Sequence, residues 1–325
     1  MEPMTLRAVG LCAGIPTQKG EIRAVNDVSI DVPAGSIVGI VGESGCGKSM
    51  TARAIMGLMR SPARMTGGEI WLNGRDIARL PERQRRALRG SEMSMIFQEP
   101  MTSLNPVMKV GRQVAEAVRL HANVSRQEAD RRAVEMFEAV GISDAASRAR
   151  CYPHQLSGGL RQRVMIAMAM VCRPKLLIAD EPTTALDVTV EAQILRLMRN
   201  LCDAGTSILL ISHNLGVIAQ LCDYVYVMYA GRIVEQAGVI KLFDHPAHPY
   251  TRGLLNAVSS LRRGGERLDT INGVVPNLLR LPEGCSFSLR CDACEARCAQ
   301  EMPELREIAP GHKARCHLAE REAWS

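Results

Sequence analysis

The sequence predicts an α/β fold with a mostly parallel sheet. Short apolar runs rich in β-branched residues alternate with helical segments, and glycine or proline turns separate them. The segments predicted as strands are Ile22–Val32, Ser36–Val41, Glu69–Leu72, Met93–Phe97, Leu176–Ala179, Ser207–Ile211 and Tyr224–Met228. The segments predicted as core helices are Ser49–Met59, Leu160–Val171 and Val190–Leu201. Strands that alternate with helices in this way are typical of a parallel α/β sheet.

A helical block interrupts this alternation. Val110–Leu120 and Glu128–Val140 place apolar residues three and four positions apart, which predicts amphipathic helices. Beyond Gln236 the chain becomes richer in proline, glycine and cysteine. We therefore expect three parts: a core of residues 1–97 and 160–235, a helical subdomain of residues 98–159, and a cysteine-rich C-terminal extension of residues 236–325.

Composition limits the classes of function. Of the 325 residues, 46% are apolar, enough for a large core, and 3% are aromatic, too few for stacking on single-stranded nucleic acid. The net charge of +6 fits an ordinary basic enzyme or a protein beside an anionic membrane, and we predict no nucleic-acid partner. The longest apolar run, Val164–Cys172, is far shorter than the ~20 residues that cross a bilayer. Because the N-terminus lacks a secretory pattern, we expect the chain in the cytoplasm unless a partner holds it at a membrane.

A phosphate-binding loop follows the strand Ser36–Val41. The segment Gly42–Ser49 reads Gly-Glu-Ser-Gly-Cys-Gly-Lys-Ser, which matches G-x-x-x-x-G-K-S between a strand and a helix. Glycines allow backbone N–H groups to surround phosphates, the lysine reaches the β- and γ-phosphates, and the serine hydroxyl binds Mg²⁺. The predicted ATP-binding residues are Gly42, Glu43, Ser44, Gly45, Cys46, Gly47, Lys48, Ser49 and Met50.

An acidic strand end supplies the second half of a hydrolytic site. The apolar run Leu176–Ala179 ends in Asp180 and Glu181. We expect Asp180 to hold Mg²⁺, directly or through water, and Glu181 to polarise the attacking water. An apolar strand ending in two acids is common by itself, and the phosphate loop gives it meaning.

The segment Leu156–Gln162, Leu-Ser-Gly-Gly-Leu-Arg-Gln, precedes the acidic strand. A polar helix cap would explain Ser157, Gly158 and Gly159, but it would not require Gln162. The segment resembles the L-S-G-G-x-x-Q signature of ATP-binding cassette (ABC) proteins. This resemblance implies a RecA-like P-loop ATPase core.

The resemblance also implies roles for residues that match by order. Gln98 matches the glutamine that senses Mg²⁺, His213 the switch histidine that contacts the γ-phosphate, and Ala185–Asp187 the loop that crosses between paired cassettes. Cassettes of this family pair head to tail. Ser157, Gly158 and Gly159 would therefore cover the ATP bound by a partner cassette, and hydrolysis would require the pair. One departure concerns adenine: relatives have an aromatic residue near the N-terminus, and Ile15 is the best equivalent here.

The segment His245–Thr251 resembles a stretch shared by cassettes of bacterial dipeptide, oligopeptide and nickel importers. A metal site formed by His245 and His248 is the alternative, but the prolines favour a structural turn.

Five of the eleven cysteines lie in the last forty or so residues. Cys285, Cys291, Cys298 and Cys316 resemble the four-cysteine tail of D-type peptide-importer subunits, which is associated with an iron–sulfur cluster. A [4Fe–4S] cluster is the preferred interpretation, because the spacings are wider than those of zinc knuckles. Structural zinc and disulfides remain alternatives, although a reducing cytoplasm opposes disulfides. Cys294 is a fifth cysteine in this set, and it blurs the assignment of ligands.

The resemblance implies the ATP-hydrolysing subunit of a bacterial importer for di- or oligopeptides, with ATP, Mg²⁺ and the cluster as cofactors. The expected partners are a second, related cassette, two membrane permeases and an extracytoplasmic binding protein. The expected location is peripheral, at the cytoplasmic face of the inner membrane, with the region near Gln98–Val110 receiving a permease helix. A nickel or metallophore importer is the first alternative. A soluble cassette ATPase of translation or repair is the second, although those usually carry two cassettes or a long coiled coil.

Overall fold

The computed structural model describes residues 3–98, 103–184, 186–262 and 271–319. The strands in this part of the chain are β1 (Met4–Thr17), β2 (Gly20–Pro33), β3 (Ile37–Val41), β4 (Arg64–Leu72), β5 (Arg75–Asp76), β6 (Met93–Ile96), β7 (Leu176–Asp180), β8 (Ser207–Ile211), β9 (Tyr224–Tyr229), β10 (Arg232–Gly238), β11 (Arg306–Ala309) and β12 (His312–Ala314). The helices are α1 (Lys48–Met56), α2 (Glu82–Leu88), α3 (Val110–His121), α4 (Arg126–Ala139), α5 (Ala145–Arg148), α6 (Gly158–Met170), α7 (Val188–Asp203), α8 (Leu215–Leu221), α9 (Val239–Asp244), α10 (Pro249–Arg262) and α11 (Ala296–Gln300). No helix in the described ranges combines the length and apolar character that a membrane crossing needs.

The chain divides into two compact units. The first comprises residues up to Thr5, Val32–Ile37 and Arg79–Leu210. The second comprises Leu6–Asp31, Val38–Ala78 and the residues from Ile211 onward.

The first unit contains three buried strands that are hydrogen-bonded side by side in the order β8, β7, β6. β6 and β7 run parallel, with Met93 opposite Leu176 and Ile96 opposite Ala179. Every residue of the three strands is buried. This double-sided burial explains why these segments are continuous apolar runs rather than alternating patterns.

The helices of the first unit pack together around their apolar faces. α3 packs on α4 and α6, and α6 also packs on β6. α3 buries Val110, Val114 and Val118, four residues apart and therefore on one face, and α4 buries Ala133 and Phe137 in the same way. The two helices predicted in this block are confirmed.

The second unit contains two groups of strands. One is the sheet β2-β1-β4-β5, in which β1 pairs antiparallel with β4. The other has the order β11-β12-β10-β9-β3. There β3 and β9 run parallel, whereas β9–β10, β10–β12 and β12–β11 run antiparallel.

The sheet β11-β12-β10-β9-β3 is therefore mixed: the parallel pair β3–β9 agrees with the predicted mostly parallel sheet, whereas the antiparallel strands β10, β11 and β12 were not predicted. The reason lies in a tight turn after β9: Ala230 and Gly231 have φ angles of 46° and 83°, and Tyr229 pairs with Arg232. Two successive positive φ angles reverse the chain within a two-residue hairpin, so β10 must return antiparallel.

The residues after β10, which the sequence assigns to a C-terminal extension, are more regular than their composition suggested. They contain α9, α10, α11, β11 and β12, with a small core of Ala247, Ala314, Cys316 and Ala319. The fully buried carboxylate of Glu235, on β10, accepts hydrogen bonds from the amides of Ala247 and His248 and pairs with His312 Nε2 at 2.7 Å. One buried acid on β10 thus connects two segments of the extension.

Candidate nucleotide-binding site

The phosphate loop joins β3 to α1 in the second unit. Gly42, Gly45 and Gly47 have φ angles of 154°, 78° and 110°. A Cβ atom at Gly42 would lie 2.2 Å from the Met228 carbonyl oxygen, and one at Gly47 would lie 2.2 Å from the Ala24 carbonyl oxygen. Both positions therefore require glycine, because conformation and close backbone contact each exclude a side chain.

Lys48 lies within the curve of this loop. Its ammonium donates to the carbonyl oxygens of Gly42, at 2.7 Å, and Glu43, at 3.0 Å. The side chain is almost completely buried, so its ammonium group lies beneath the loop, where it can bind phosphate oxygens. Ser44 and Gly45 are exposed, whereas Ser49 and Met50 are partly buried in the first turn of α1.

Cys46 is fully buried beside this lysine. Burial raises the pKa of its thiol, and the nearby Lys48 ammonium offsets only part of that effect. The thiol therefore stays protonated near neutral pH and acts as a small packing residue.

The first unit brings together the predicted catalytic residue Glu181 and the predicted Mg²⁺-binding residue Gln98. Glu181 follows β7 directly, and its Oε2 accepts a hydrogen bond from Gln98 Nε2 at 3.1 Å. Its backbone has a φ of 50°, unusual for a glutamate. Asp180 is the last residue of β7 and is 1% exposed.

Thr184 is a hydrogen-bond partner of Glu181 that the sequence did not single out. Its hydroxyl donates to Glu181 Oε2 at 3.2 Å. Its only signal in the sequence was a hydroxyl three residues after Glu181, the acid that follows β7. A carboxylate held by an amide and a hydroxyl is fixed in orientation, which suits a group that must align a water molecule.

The signature segment begins α6 in the first unit. The Ser157 hydroxyl accepts from the Leu160 amide at 3.3 Å and caps the helix, as predicted. Gln162 is 1% exposed, and its amide donates to the Pro182 carbonyl oxygen. Gln162, which helix capping alone would not require, therefore connects α6 to the loop that follows β7.

The remaining predicted residues have simpler surroundings. His213 is exposed in the bend after β8, and Asn214 caps α8 by accepting from the Gly216 amide at 2.9 Å. Ile15 is half-buried on β1. Ala185, the first residue of the predicted crossing loop, lies outside the described residues.

The phosphate loop also contacts residues that the sequence assigned to the C-terminal extension. The sequence did not predict these contacts. The Glu43 amide donates to the Tyr250 hydroxyl at 2.8 Å. The Glu43 carboxylate accepts two hydrogen bonds from Arg290, at 2.6 and 3.0 Å. Both partners belong to the second unit, as does the loop.

His248 has a structural role at the start of α10. Its Nδ1 accepts from the Tyr250 amide at 3.0 Å, and its own amide donates to Glu235. Burial lowers the pKa of His248 to about 4, although the Glu235 charge opposes the shift. This neutral, hydrogen-bonded ring agrees with the structural turn preferred over a histidine metal site.

The tail cysteines lie close to one another. The Cys285 amide donates to the Cys298 carbonyl oxygen at 2.7 Å, and a Cβ at Gly284 would lie 2.3 Å from that oxygen. Burial raises the pKa of Cys285 to about 11, and the neighbouring Cys316, Cys298 and Cys291 add to the shift. Four thiols are the donor type of an iron–sulfur cluster. Within the described residues, however, no group of three or more His, Cys, Asp or Glu side chains is arranged to hold a metal ion.

Comparison with solved structures defines the class. The ATP-binding cassette MJ0796, solved as a dimer in a post-hydrolysis state with ADP and Pi, has a TM-score of 0.67 and 24% identity, covering 72% of this chain and 98% of that one. The structure of an ATP-binding subunit of an ABC transporter has a TM-score of 0.62 and 25% identity, covering 80% of this chain and 98% of that one. The fold is that of an ATP-binding cassette.

Sequence comparison gives the family. The ABC transporter model matches residues 25–184, and the model of the oligopeptide/dipeptide transporter C-terminal region matches residues 234–298. A probable peptide ABC transporter ATP-binding protein of Sinorhizobium fredii is 55% identical over 90% of this chain and 89% of its own length. The oligopeptide transport ATP-binding protein OppD of Escherichia coli is 52% identical over 92% of this chain and 89% of its own length. The chain belongs to the ABC transporter family, in the oligopeptide and dipeptide group that includes OppD, and the predicted resemblance is confirmed.

Proposed function

We propose that this chain is the ATP-hydrolysing subunit of a bacterial ABC importer for di- and oligopeptides. The observation that carries the proposal is similarity along almost the whole chain: relatives named for peptide transport are 55% and 52% identical over about nine-tenths of both sequences. The match to the transporter C-terminal region supports it independently of the cassette. The nickel alternative has no support among these relatives.

The proposed chemistry divides among two sets of residues. Gly42, Glu43, Ser44, Gly45, Cys46, Gly47, Lys48, Ser49 and Met50 bind the ATP phosphates, and Ser49, Gln98 and Asp180 hold Mg²⁺. The support for the loop is its curvature around Lys48, whose ammonium neutralises phosphate charge. Mg²⁺, when bound, neutralises charge on the phosphates during transfer.

Glu181 polarises the attacking water. Its support is the orientation that Gln98 and Thr184 give the carboxylate. His213 contacts the γ-phosphate and reports its presence, in keeping with its exposed position after β8. Ser157, Gly158 and Gly159 cover the ATP of a second cassette, and the support is that Gly158 has open space where a side chain would project. ATP is therefore hydrolysed when two cassettes pair.

We propose the assembly that the sequence implied: a second, related cassette, two membrane permeases and an extracytoplasmic binding protein. The chain lies peripherally at the cytoplasmic face of the inner membrane. The helical subdomain of residues 98–159 receives the permease near Gln98–Val110, of which residues 99–102 lie outside the described residues. Residues 1–97 with 160–235 form the nucleotide-binding core, and residues 236–325 form the extension. Val107, in the docking region, is 82% exposed, which suits a residue that a partner covers.

We also propose, on donor chemistry, that Cys285, Cys291, Cys298 and Cys316 bind a [4Fe–4S] cluster that fastens the extension. The test is the iron and acid-labile sulfide content of anaerobically prepared protein. Cys298→Ser should lose both, whereas Cys294→Ser should keep both. A colourless preparation with zinc bound would contradict the cluster.

Copurification tests the main proposal. The tagged chain should retain two permeases from detergent-solubilised membranes, and the assembly should hydrolyse ATP faster when a peptide-loaded binding protein is added. Peptide and Ni²⁺ uptake in a strain lacking this subunit should separate the substrates. Loss of Ni²⁺ uptake with normal peptide uptake would contradict the proposal, as would a chain that purifies without permeases.

A further inference from the structure

Two groups of the C-terminal extension act on one residue of the phosphate loop. The Tyr250 hydroxyl accepts a hydrogen bond from the Glu43 amide, and Arg290 donates two parallel hydrogen bonds to the Glu43 carboxylate. These residues lie 207 and 247 positions after Glu43 in the sequence. The loop therefore has long-range partners in addition to its local ones.

Every donor of the Arg290 guanidinium has an acceptor. A guanidinium carries five N–H groups in a fixed fork. Nη1 donates to Glu43 and to the Tyr229 hydroxyl, Nη2 to Glu43 and the Ile271 carbonyl, and Nε to the Asn272 carbonyl. The side chain is 3% exposed, against 28% for Glu43. Lysine could not reproduce this arrangement, because its ammonium has three donors and no planar fork.

Aromatic rings hold the arginine in place. Tyr229, Tyr250 and Phe287 form a cluster with ring centroids 4.6 to 5.5 Å apart. The Arg290 guanidinium carbon lies 5.8 Å from the Tyr229 ring centroid and 5.9 Å from that of Phe287. We call Tyr229, Tyr250, Phe287 and Arg290 the loop brace. Its packing leaves the guanidinium little freedom to move with the loop.

Charge gives the brace a functional meaning. Glu43 places a carboxylate in a loop that must receive a polyphosphate anion, and like charges repel strongly where water is partly excluded. The bidentate pair with Arg290 neutralises the carboxylate and fixes its direction. We propose that Arg290 is a positioning residue for ATP, through which the C-terminal extension sets the nucleotide affinity of the phosphate loop. This inference rests on the proposed assignment of the loop as the ATP site.

The test is equilibrium ATP binding to the full chain. Removing one partner of a buried charge pair is costly, so Arg290→Gln should weaken ATP binding about tenfold. Arg290→Lys should lie between wild type and Arg290→Gln, because it restores charge without the fork. Adding Glu43→Gln to Arg290→Gln should restore ATP affinity to within about threefold of wild type, because the repelling charge is gone.

Arg315→Gln is the matched control. Arg315 belongs to the same extension and donates to the carbonyls of Ile233 and Pro303, without contacting the loop. Its substitution should lower the unfolding temperature without changing ATP affinity. An equal loss of ATP affinity in Arg315→Gln and Arg290→Gln would overturn the inference, since general loosening of the extension would explain both.

Two further outcomes would also overturn it: wild-type ATP affinity in Arg290→Gln, or no recovery in the double variant. Should Arg290→Gln fail to fold, Arg290→Lys decides. It should bind ATP several-fold more weakly than wild type, because it lacks the planar fork, and wild-type ATP affinity in a folded Arg290→Lys would contradict the inference. Lys48→Ala separates this inference from the proposed site. Normal ATP binding in Lys48→Ala would mean that the site assignment fails. Weakened ATP binding in Lys48→Ala together with normal binding in Arg290→Gln would contradict only the role of Arg290.

Discussion

The phosphate loop and the signature segment are both glycine-rich helix N-termini, but their glycines serve different purposes. In the loop, Gly42 and Gly47 have positive φ angles, and a Cβ atom at either would collide with a backbone oxygen at 2.2 Å. In the signature, neither Gly158 nor Gly159 has a positive φ. A Cβ at Gly158 would meet nothing within 4 Å, and one at Gly159 would meet only Leu186 at 3.8 Å.

The difference separates two reasons for lacking a side chain. The loop needs glycine so that its own backbone can curve and pack. The signature has no internal need for it, and its bare surface suits an approach from outside the chain. A folding requirement and the proposed binding requirement would therefore produce similar sequence patterns, and substitutions can distinguish the two.

The largest effect is expected from Gly47→Ala. The added methyl group meets the Ala24 carbonyl at a φ of 110°, so we expect loss of detectable ATP binding and a fall of about 1–3 kcal/mol in the free energy of unfolding. Gly74→Ala is the matched control, because Gly74 has a φ of 78° but open space around its Cβ position. For both variants, calorimetry measures the free energy of unfolding and nucleotide titration measures ATP binding. Equal effects at the two positions would show that φ, not backbone collision, controls the loop.

The second prediction separates hydrolysis from binding. Glu181→Gln should retain ATP binding and slow hydrolysis in the assembled complex by roughly 10²- to 10⁴-fold, because the carboxylate is lost while its shape remains. Thr184→Val removes one hydrogen bond to that carboxylate and should slow hydrolysis by only several-fold. Steady-state phosphate release measures both variants. Hydrolysis by Glu181→Gln at the wild-type rate would remove Glu181 from the proposed mechanism.

The third prediction tests the bare signature surface. Gly158→Leu should leave unfolding and ATP binding of the isolated chain near wild type, because the side chain projects into open space. Hydrolysis in the assembled complex should fall about 100-fold, as when a transition-state donor is displaced. Mixing this variant with wild-type partner subunits locates the defect. Normal hydrolysis with Leu at this position would mean that nothing approaches the signature.

The smallest effect concerns acid and the extension that contacts the loop. Burial lowers the pKa of His248 from 6.5 to about 4, where Glu235 and Arg252 are its charged neighbours. Because the folded state prefers neutral His248, this residue does not lower the free energy of unfolding above pH 6.5, and the free energy of unfolding falls as the pH drops from 6.5 toward 4. The loss should be about 2 kcal/mol between pH 8 and pH 5. His248→Asn keeps an acceptor for the Tyr250 amide and should flatten this part of the profile. An unchanged profile would assign the acid sensitivity to other groups.

The sequence predicted local features well because their causes are local. Buried strands are continuous apolar runs, and Ser157 caps α6 as its position before an apolar helix predicted. The mixed sheet was not predicted, because a hairpin at Ala230 and Gly231 needs two positive φ angles that the dipeptide does not strongly signal. The helices of the extension were also missed, because proline and cysteine content masked their short apolar faces.

Long-range pairings account for most of what the sequence could not show. Gln98 and Glu181 were both assigned to the site, but their hydrogen bond links positions 83 residues apart. Nothing near Glu43 or Arg290 indicates that they form an ion pair. A side chain that pairs across the fold looks, in sequence, like any solvated charge.

The saturation of the Arg290 donors has a consequence for how this family can diverge. No solvent-facing N–H group remains on the guanidinium, so a replacement at position 290 leaves several carbonyl and carboxylate acceptors unpaired at once. We therefore expect a lineage that loses this arginine to change position 43 as well, because the carboxylate is the charged acceptor among those left unpaired. Among relatives, these two positions should covary, and chains without an acid at position 43 should be the ones that tolerate other residues at position 290.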